Sequence, residues 1–228
     1  MILKIKGMNF NVFPFVNSDR LDPGTFVWSV APGEGITGIQ IAASGVINVG
    51  AKDRQLFFSD APYRFAMLEN SMLAQSIGTP LLNSRGEVVG VVAGYKNNRG
   101  VIRAGFLKSA FDSLLKNNKI TRPSLGIHFY EASQILNTPE NAPYVDRGVV
   151  LSGDTSRHVL PVERKSPLAV LNLKPGDRIL SLNNEAISTV RSLPEIILDY
   201  KPGDKVEIMY LHDGQEQKTT ITLGVLNH

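Results

Sequence analysis

The sequence predicts a mainly β chain in two parts, an antiparallel barrel or sandwich followed by a small α+β module. Three observations carry this. From Phe26 to Phe106 short β-branched runs alternate with turn residues, as strands joined by tight reversals require. A single amphipathic helical stripe follows, and beyond it two Pro-Gly-Asp turns each lead into a strand. With 228 residues, 43% hydrophobic and 20% charged, the chain can bury two cores and is not a disordered or fibrous protein.

The first series reads FVWSVA, ITGIQIAASGVINVG, QLFF, RFAML, PLLN, EVVGVVAG and VIRAGF. Between PLLN and EVVGVVAG the turn Asn83-Ser84-Arg85-Gly86 makes a hairpin explicit, since Gly86 tolerates the positive φ of a tight reversal. Leu107, Ala110, Phe111, Leu114 and Leu115 recur at i, i+3, i+4, i+7 and i+8, which predicts one apolar helical face over 107–116. Pro123 biases Arg122 toward extended geometry, so 117–123 is the expected linker. In the second part SLGIHFYE opens a strand, and LKPGDRILSLNNEAI gives a turn and a strand. A short helix is expected at 191–200, capped by Ser192 with Pro194 in its first turn. VEIMYLHDG and QKTTITLG close the module as a hairpin turning at Asp213-Gly214.

Composition excludes several function classes. There is no cysteine, hence no disulfide and no thiolate metal site, and the redox compartment is not specified. The formal net charge is +3 and no run of five lysines and arginines occurs, so a nucleic-acid footprint is absent and no nucleic-acid partner is expected. No stretch has the apolar length of a membrane span. The start MILKIKGMNFNVFPFV carries Lys4 and Lys6 inside its apolar stretch without a small-residue cleavage site, so it does not read as an export signal. APGEGITG at 31–38 lacks the lysine and hydroxyl residue of a phosphate loop and reads as a hairpin turn. His128, His158, His212 and His228 show no H-x-x-x-H spacing, so no metal site and no cofactor are expected. Asp60 and Glu69 read as solvated carboxylates at a turn and a barrel edge.

Leu125-Gly126-Ile127, LKPGDRILSLNNEAI at 173–187 and KPGDKVEIMYLHDGQEQKTTITLG at 201–224 together resemble the PDZ domain of HtrA/Deg-type serine proteases. The resemblance maps the carboxylate-binding x-L-G-I loop onto Ser124, Leu125, Gly126 and Ile127. Gly126 permits a turn that aims successive amides at one anion, and the following strand is expected to offer an unpaired edge to a peptide. The implied peptide-binding set is Ser124, Leu125, Gly126, Ile127, Phe129, Leu193, Ile196 and Ile197, taking apolar C-terminal peptides.

The first part resembles the second barrel of the same family's protease domain. TPLLNSRGEVVGVVAG at 79–94 is similar to the segment after the nucleophile in G-N-S-G-G-P-L-x-N-x-x-G-E-V-x-G-I. This implies a trypsin-like six-stranded antiparallel barrel. The implied divisions are 1–19 as a remnant of the first barrel and crossover, 20–116 as the second barrel with its closing helix, and 124–228 as the PDZ domain after the 117–123 linker. Aligning Pro80 with the family's proline puts Gln75, Ser76, Ile77, Gly78 and Thr79 on the five preceding positions, so Ile77 stands where the serine nucleophile would be. The histidine and aspartate of the triad would precede Met1.

The expectation is therefore a catalytically inactive homologue, a pseudoprotease without catalytic residues, that binds peptides or protein C-termini. The alternative is a fragment or split chain of a serine endopeptidase acting on unfolded proteins. The resemblance also implies a role in protein quality control, a periplasmic or cell-envelope location, and a homo-oligomer or an active protease relative as possible partners. Without a first barrel to pack against, Ile2, Leu3, Ile5, Phe10, Val12, Phe13, Phe15 and Val16 are expected to pack elsewhere or associate.

Overall fold

A computed structural model describes residues 6–7, 9–16, 21–32, 39–50, 56–61, 64–69, 77–95, 98–134 and 147–227. By its internal contacts the chain divides into two compact units, Met1–Val49 with Ala66–Ala104, and Gly50–Phe65 with Gly105–His228.

The first unit is built on a closed barrel of β1 (Phe26–Pro32), β2 (Ile39–Gly50), β4 (Phe65–Leu68), β5 (Pro80–Leu82), β6 (Val88–Tyr95) and β7 (Asn98–Arg103), in the order β1-β2-β4-β7-β6-β5. The six-stranded antiparallel barrel expected from the sequence is thus the observed architecture. Strand alternation sets the core: Val27 and Ser29 are buried while Phe26 faces solvent. Val27, Val46, Ala66, Leu81, Val89, Val92 and Val101 pack together inside. The β5–β6 hairpin turns where the sequence indicated, with Gly86 at φ +77°. The Asn83 side chain accepts the amides of Arg85 and Glu87 at 2.9 and 3.0 Å, holding the turn closed.

Helix α1 spans Ala104–Asn117, three residues earlier than the stripe from Leu107 indicated. Phe106 and Ala110 are its buried i, i+4 pair, whereas Leu115 is 81% exposed, so the observed apolar face is rotated toward the helix start. Residues 121–123, assigned to a linker from the sequence, form part of β8 (Thr121–Ser124), which pairs with β15 (Gly224–Asn227). Pro123 is accommodated because this two-stranded sheet has only edges.

The main sheet of the second unit runs β14 (Gln215–Thr222), β13 (Lys205–His212), β11 (Arg178–Leu182), β10 (Val149–Leu151), β9 (His128–Glu131), β3 (Phe57–Phe58), with β12 (Glu185–Ala186) on β11. The β13–β14 hairpin turns at Asp213 and Gly214, both at positive φ (49° and 78°), the geometry that favours Asp-Gly. Helix α2 (Leu193–Ile197) follows Ser192, whose amide donates to the Glu195 carboxylate at 2.7 Å. All five α2 residues are buried.

The location of β3 departs from the sequence reading. QLFF belonged there to the barrel series, yet Phe57 and Phe58 pair with β9 of the second unit. The run is a strand because of its aromatic β propensity, but its partner was decided by an open edge far along the chain.

Candidate functional site

The site is built on the turn between β8 and β9. Gly126 adopts φ +63°, a left-handed conformation that a Cβ disfavours. A Cβ placed there would also stand 3.2 Å from Ser166 Cβ and 3.5 Å from Glu163 Cβ. The carbonyls of the turn are held on that same flank: Ser166 Oγ donates to the Leu125 carbonyl at 2.5 Å, and the Glu163 amide donates to the Gly126 carbonyl at 2.9 Å. Ser166 Oγ in turn accepts the Leu168 amide at 2.9 Å. With the carbonyls engaged on one side, the amides of Leu125 and Gly126 converge on the other, forming a small anion nest.

That nest holds a carboxylate. Asp60 Oδ1 accepts the amides of Leu125 and Gly126 at 3.0 and 3.2 Å, and the Ser124 hydroxyl donates to Oδ2. The adjacent Ser59 completes the set: its hydroxyl donates to Asp60 Oδ1 at 2.6 Å and accepts the Ile127 amide at 3.2 Å, while its own amide donates to the Ile127 carbonyl at 2.9 Å. Asp60 is 7% exposed, which corrects its reading as a solvated turn carboxylate. A buried carboxylate is tolerated here because its oxygens receive several hydrogen bonds.

Upstream of Ser59 the chain continues along β9 in antiparallel register, Phe58 opposite His128 and Phe57 opposite Phe129. The β9 edge expected to be unpaired is therefore covered by β3. Phe57 is buried in the same apolar cluster as Leu125, Ile127, Phe129, Leu193, Ile196 and Ile197, with its ring 6.0 Å from that of Phe129. Phe58 lies on the opposite face, stacked on the His128 ring at 4.7 Å. Arg64, also nearly buried, pairs with Glu131 at the end of β9 and donates to the carbonyls of Ser188 and Thr189 ahead of α2 at 2.9 and 2.6 Å.

The residues expected to form the peptide site thus come together: Ser124, Leu125, Gly126 and Ile127 supply the turn, Phe129 the strand, and Leu193, Ile196 and Ile197 the buried helical wall. The sequence reading missed Ser59, Asp60, Phe57, Arg64 and Ser166. Only Asp60 carried a signal, an acidic residue after an aromatic strand-like run. Its partners lie 64 to 66 residues away, beyond any local pattern.

At the position matched to a protease nucleophile, Ile77 stands in a turn with its side chain 67% exposed. Gly78 follows at φ +94°, and its amide donates to the Val92 carbonyl at 2.8 Å, tying the turn to β6. Gln75 and Ser76 lie outside the described residues.

Among the described residues, Asp177, His212 and Asp213 form a cluster that the histidine spacing did not reveal. Their atoms are already engaged. His212 Nδ1 contacts Asp177 Oδ2 at 2.8 Å, the Lys174 amide donates to that same oxygen at 2.6 Å, and Lys174 Nζ lies 3.1 Å from Asp213 Oδ2. The lysine's hydrogen bond and charge hold the Asp213 carboxyl below its usual range. An ammonium in this position serves the hairpin turn and opposes a cation.

The comparisons bear on both units. A PDZ domain model matches residues 123–223. The chain is 28% identical over 203 residues to a putative serine protease HhoB of Synechocystis sp., covering 85% of this chain and 47% of that protein. It is 28% identical over 229 residues to a probable periplasmic serine endoprotease DegP-like of Marinomonas sp., covering 97% of this chain and 46% of that one. The chain spans about half the length of these curated relatives. Among solved structures, the HtrA-type protease AlgW with a tripeptide matches 99% of the chain and 73% of its own, at 19% identity and a TM-score of 0.61. The same protease with a decapeptide matches at 19% identity with a TM-score of 0.58, covering 99% of this chain and 67% of that one. At these identities the structural matches speak to the fold.

Proposed function

We propose that this chain, a homologue of the HtrA/DegP-type serine proteases carrying a PDZ domain, binds protein C-termini at the turn formed by Ser124, Leu125, Gly126 and Ile127. One observation carries the reading: the Leu125 and Gly126 amides converge on a carboxylate, that of Asp60, beside a β9 edge that pairs with the short strand β3. A terminal carboxylate has the same two oxygens, and the residues before it can extend along β9 in the place that β3 holds. Hydrogen bonds to a charged acceptor contribute about 1.5–3 kcal/mol each, while the strand supplies register. Leu193, Ile196 and Ile197 favour an apolar side chain between strand and helix.

The direct test is a titration of an isotope-labelled chain with a peptide bearing a free carboxylate, followed by amide resonances. Leu125, Gly126 and Ile127 should shift the most. Shifts confined to other residues would remove the carboxylate turn from the binding site.

In this reading the chain supplies no protease nucleophile, since Ile77 offers no hydroxyl at the matched position. The second reading is a fragment or split chain of a serine endopeptidase acting on unfolded proteins; the relatives are named as serine proteases. That reading needs a serine elsewhere in the turn, and Ser76 is the adjacent candidate. A periplasmic location follows the naming of the DegP-like relatives. Phe10, Val12 and Phe13, exposed at 55%, 82% and 56%, provide apolar surface for association with a second copy or an active relative. Sedimentation of the chain should show species larger than a monomer, reduced by Phe13→Ser; a monomer at all concentrations would remove self-association.

A further inference from the structure

The groove just described already contains four residues of its own chain, which engage the turn amides, the β9 edge and the apolar cluster. The three amides of the turn have acceptors from two adjacent residues, Asp60 Oδ1 for Leu125 and Gly126, and Ser59 Oγ for Ile127. The Ser59 amide donates to the Ile127 carbonyl at 2.9 Å, the main-chain bond a terminal residue would form on this edge. Two residues earlier, Phe57 sits opposite Phe129 and places its ring in the buried cluster with Leu193, Ile196 and Ile197. The carboxylate, strand and pocket contacts are thus filled at once.

We propose that Phe57–Asp60 is an internal ligand that competes with external C-termini for this groove. This rests on the peptide-binding reading above. Three features mark the segment as an occupant and not as a strand of the domain's own framework. It is only two residues long as a strand and lies at the end of the sheet order. It enters from a part of the chain 64 to 66 residues before the turn it caps. The residues matched to the PDZ domain, 123–223, do not include it.

Tethering strengthens the occupant. A segment fixed to the same chain acts at an effective concentration of about millimolar, and an external peptide meets only the fraction of molecules whose groove is open. Its apparent affinity falls by that fraction. Asp60→Ala removes the acceptor of two turn amides and should raise the open fraction, so a peptide that brings its own carboxylate should bind more tightly.

The test uses the full chain and the pentapeptide Gln-Leu-Phe-Phe-Val with a free carboxylate, which follows residues 55–58 and ends in an apolar residue at the place of Ser59. Calorimetry should give at least tenfold tighter binding to the Asp60→Ala chain than to the unmodified chain. In the unmodified chain, saturating peptide should speed hydrogen exchange at the Ser59 amide as the segment is released, and this arm decides the matter should Asp60→Ala fail to fold. Equal affinity for both chains, or unchanged Ser59 exchange at saturation, makes β3 a fixed strand, overturns the internal ligand and puts the bound peptide off the β9 edge. Absence of peptide binding to both chains overturns the peptide reading itself, and the internal ligand with it.

Discussion

Two turns occupy the positions where the family resemblance locates function, and they differ in almost every physical respect. At Leu125-Gly126 the leucine side chain is buried, both carbonyls are clamped, and two amides are directed at one carboxylate. At Ile77-Gly78 an apolar side chain stands in solvent, and the glycine amide is used by the barrel, donating to Val92. Both glycines have positive φ, +63° and +94°. Only Gly126 is also confined, with Ser166 Cβ 3.2 Å from where its Cβ would be, while nothing lies within 4 Å at Gly78. A left-handed glycine marks a turn; the surrounding contacts determine whether that turn is a site.

Substitutions can widen or close this contrast. The largest effect is expected at the wall behind the carboxylate turn. Leu193 is fully buried, so Leu193→Asp introduces an unpaired charge into the core and should cost about 4 kcal/mol or more, read as a fall in the denaturation midpoint of the second unit. Gly126→Val combines left-handed strain, about 1–2 kcal/mol, with a tight 3.2 Å approach of its Cβ to Ser166 Cβ, and should also weaken binding of a free-acid peptide at least tenfold. The paired change Gly78→Ala carries only the conformational penalty, about 1 kcal/mol, and should leave peptide affinity unchanged, since no atom lies near its Cβ. If the two glycine variants lose peptide affinity equally, the contrast between the turns is not one of function.

The smallest effect is expected at Ile77. An exposed side chain contributes little to stability, so Ile77→Ser should move the midpoint by no more than about 0.5 kcal/mol. A hydroxyl alone does not make a nucleophile without a base, so neither the unmodified chain nor Ile77→Ser should be labelled by a serine-directed fluorophosphonate. Labelling of the unmodified chain that disappears in Ser76→Ala would instead support the endopeptidase reading.

Local chemistry made much of this legible in advance. The hairpin at Asn83–Gly86, the Asp213-Gly214 turn, and Ser192 ahead of α2 were evident because turn and cap preferences act over a few residues. The turn at Leu125-Gly126-Ile127 was legible through the conformational role of its glycine. The pairing of QLFF was not legible, because a strand's alternation does not name its neighbour. The role of Asp60 was hidden for a related reason: an acidic residue after an aromatic run looks solvated until a distant turn places its amides around it. The rotated face of α1 had a local cause, since Phe106 takes a buried position ahead of the stripe that begins at Leu107.

The central claim is that this turn captures a carboxylate, and it is tested most directly with the groove's own carboxylate removed. Free-acid and C-terminally amidated Gln-Leu-Phe-Phe-Val should be titrated calorimetrically into the Asp60→Ala chain. Because the loss of even one hydrogen bond to a charged group costs about 1.5–3 kcal/mol, the amidated peptide should bind at least tenfold more weakly. Equal affinities for the two peptides would contradict carboxylate capture at Leu125 and Gly126.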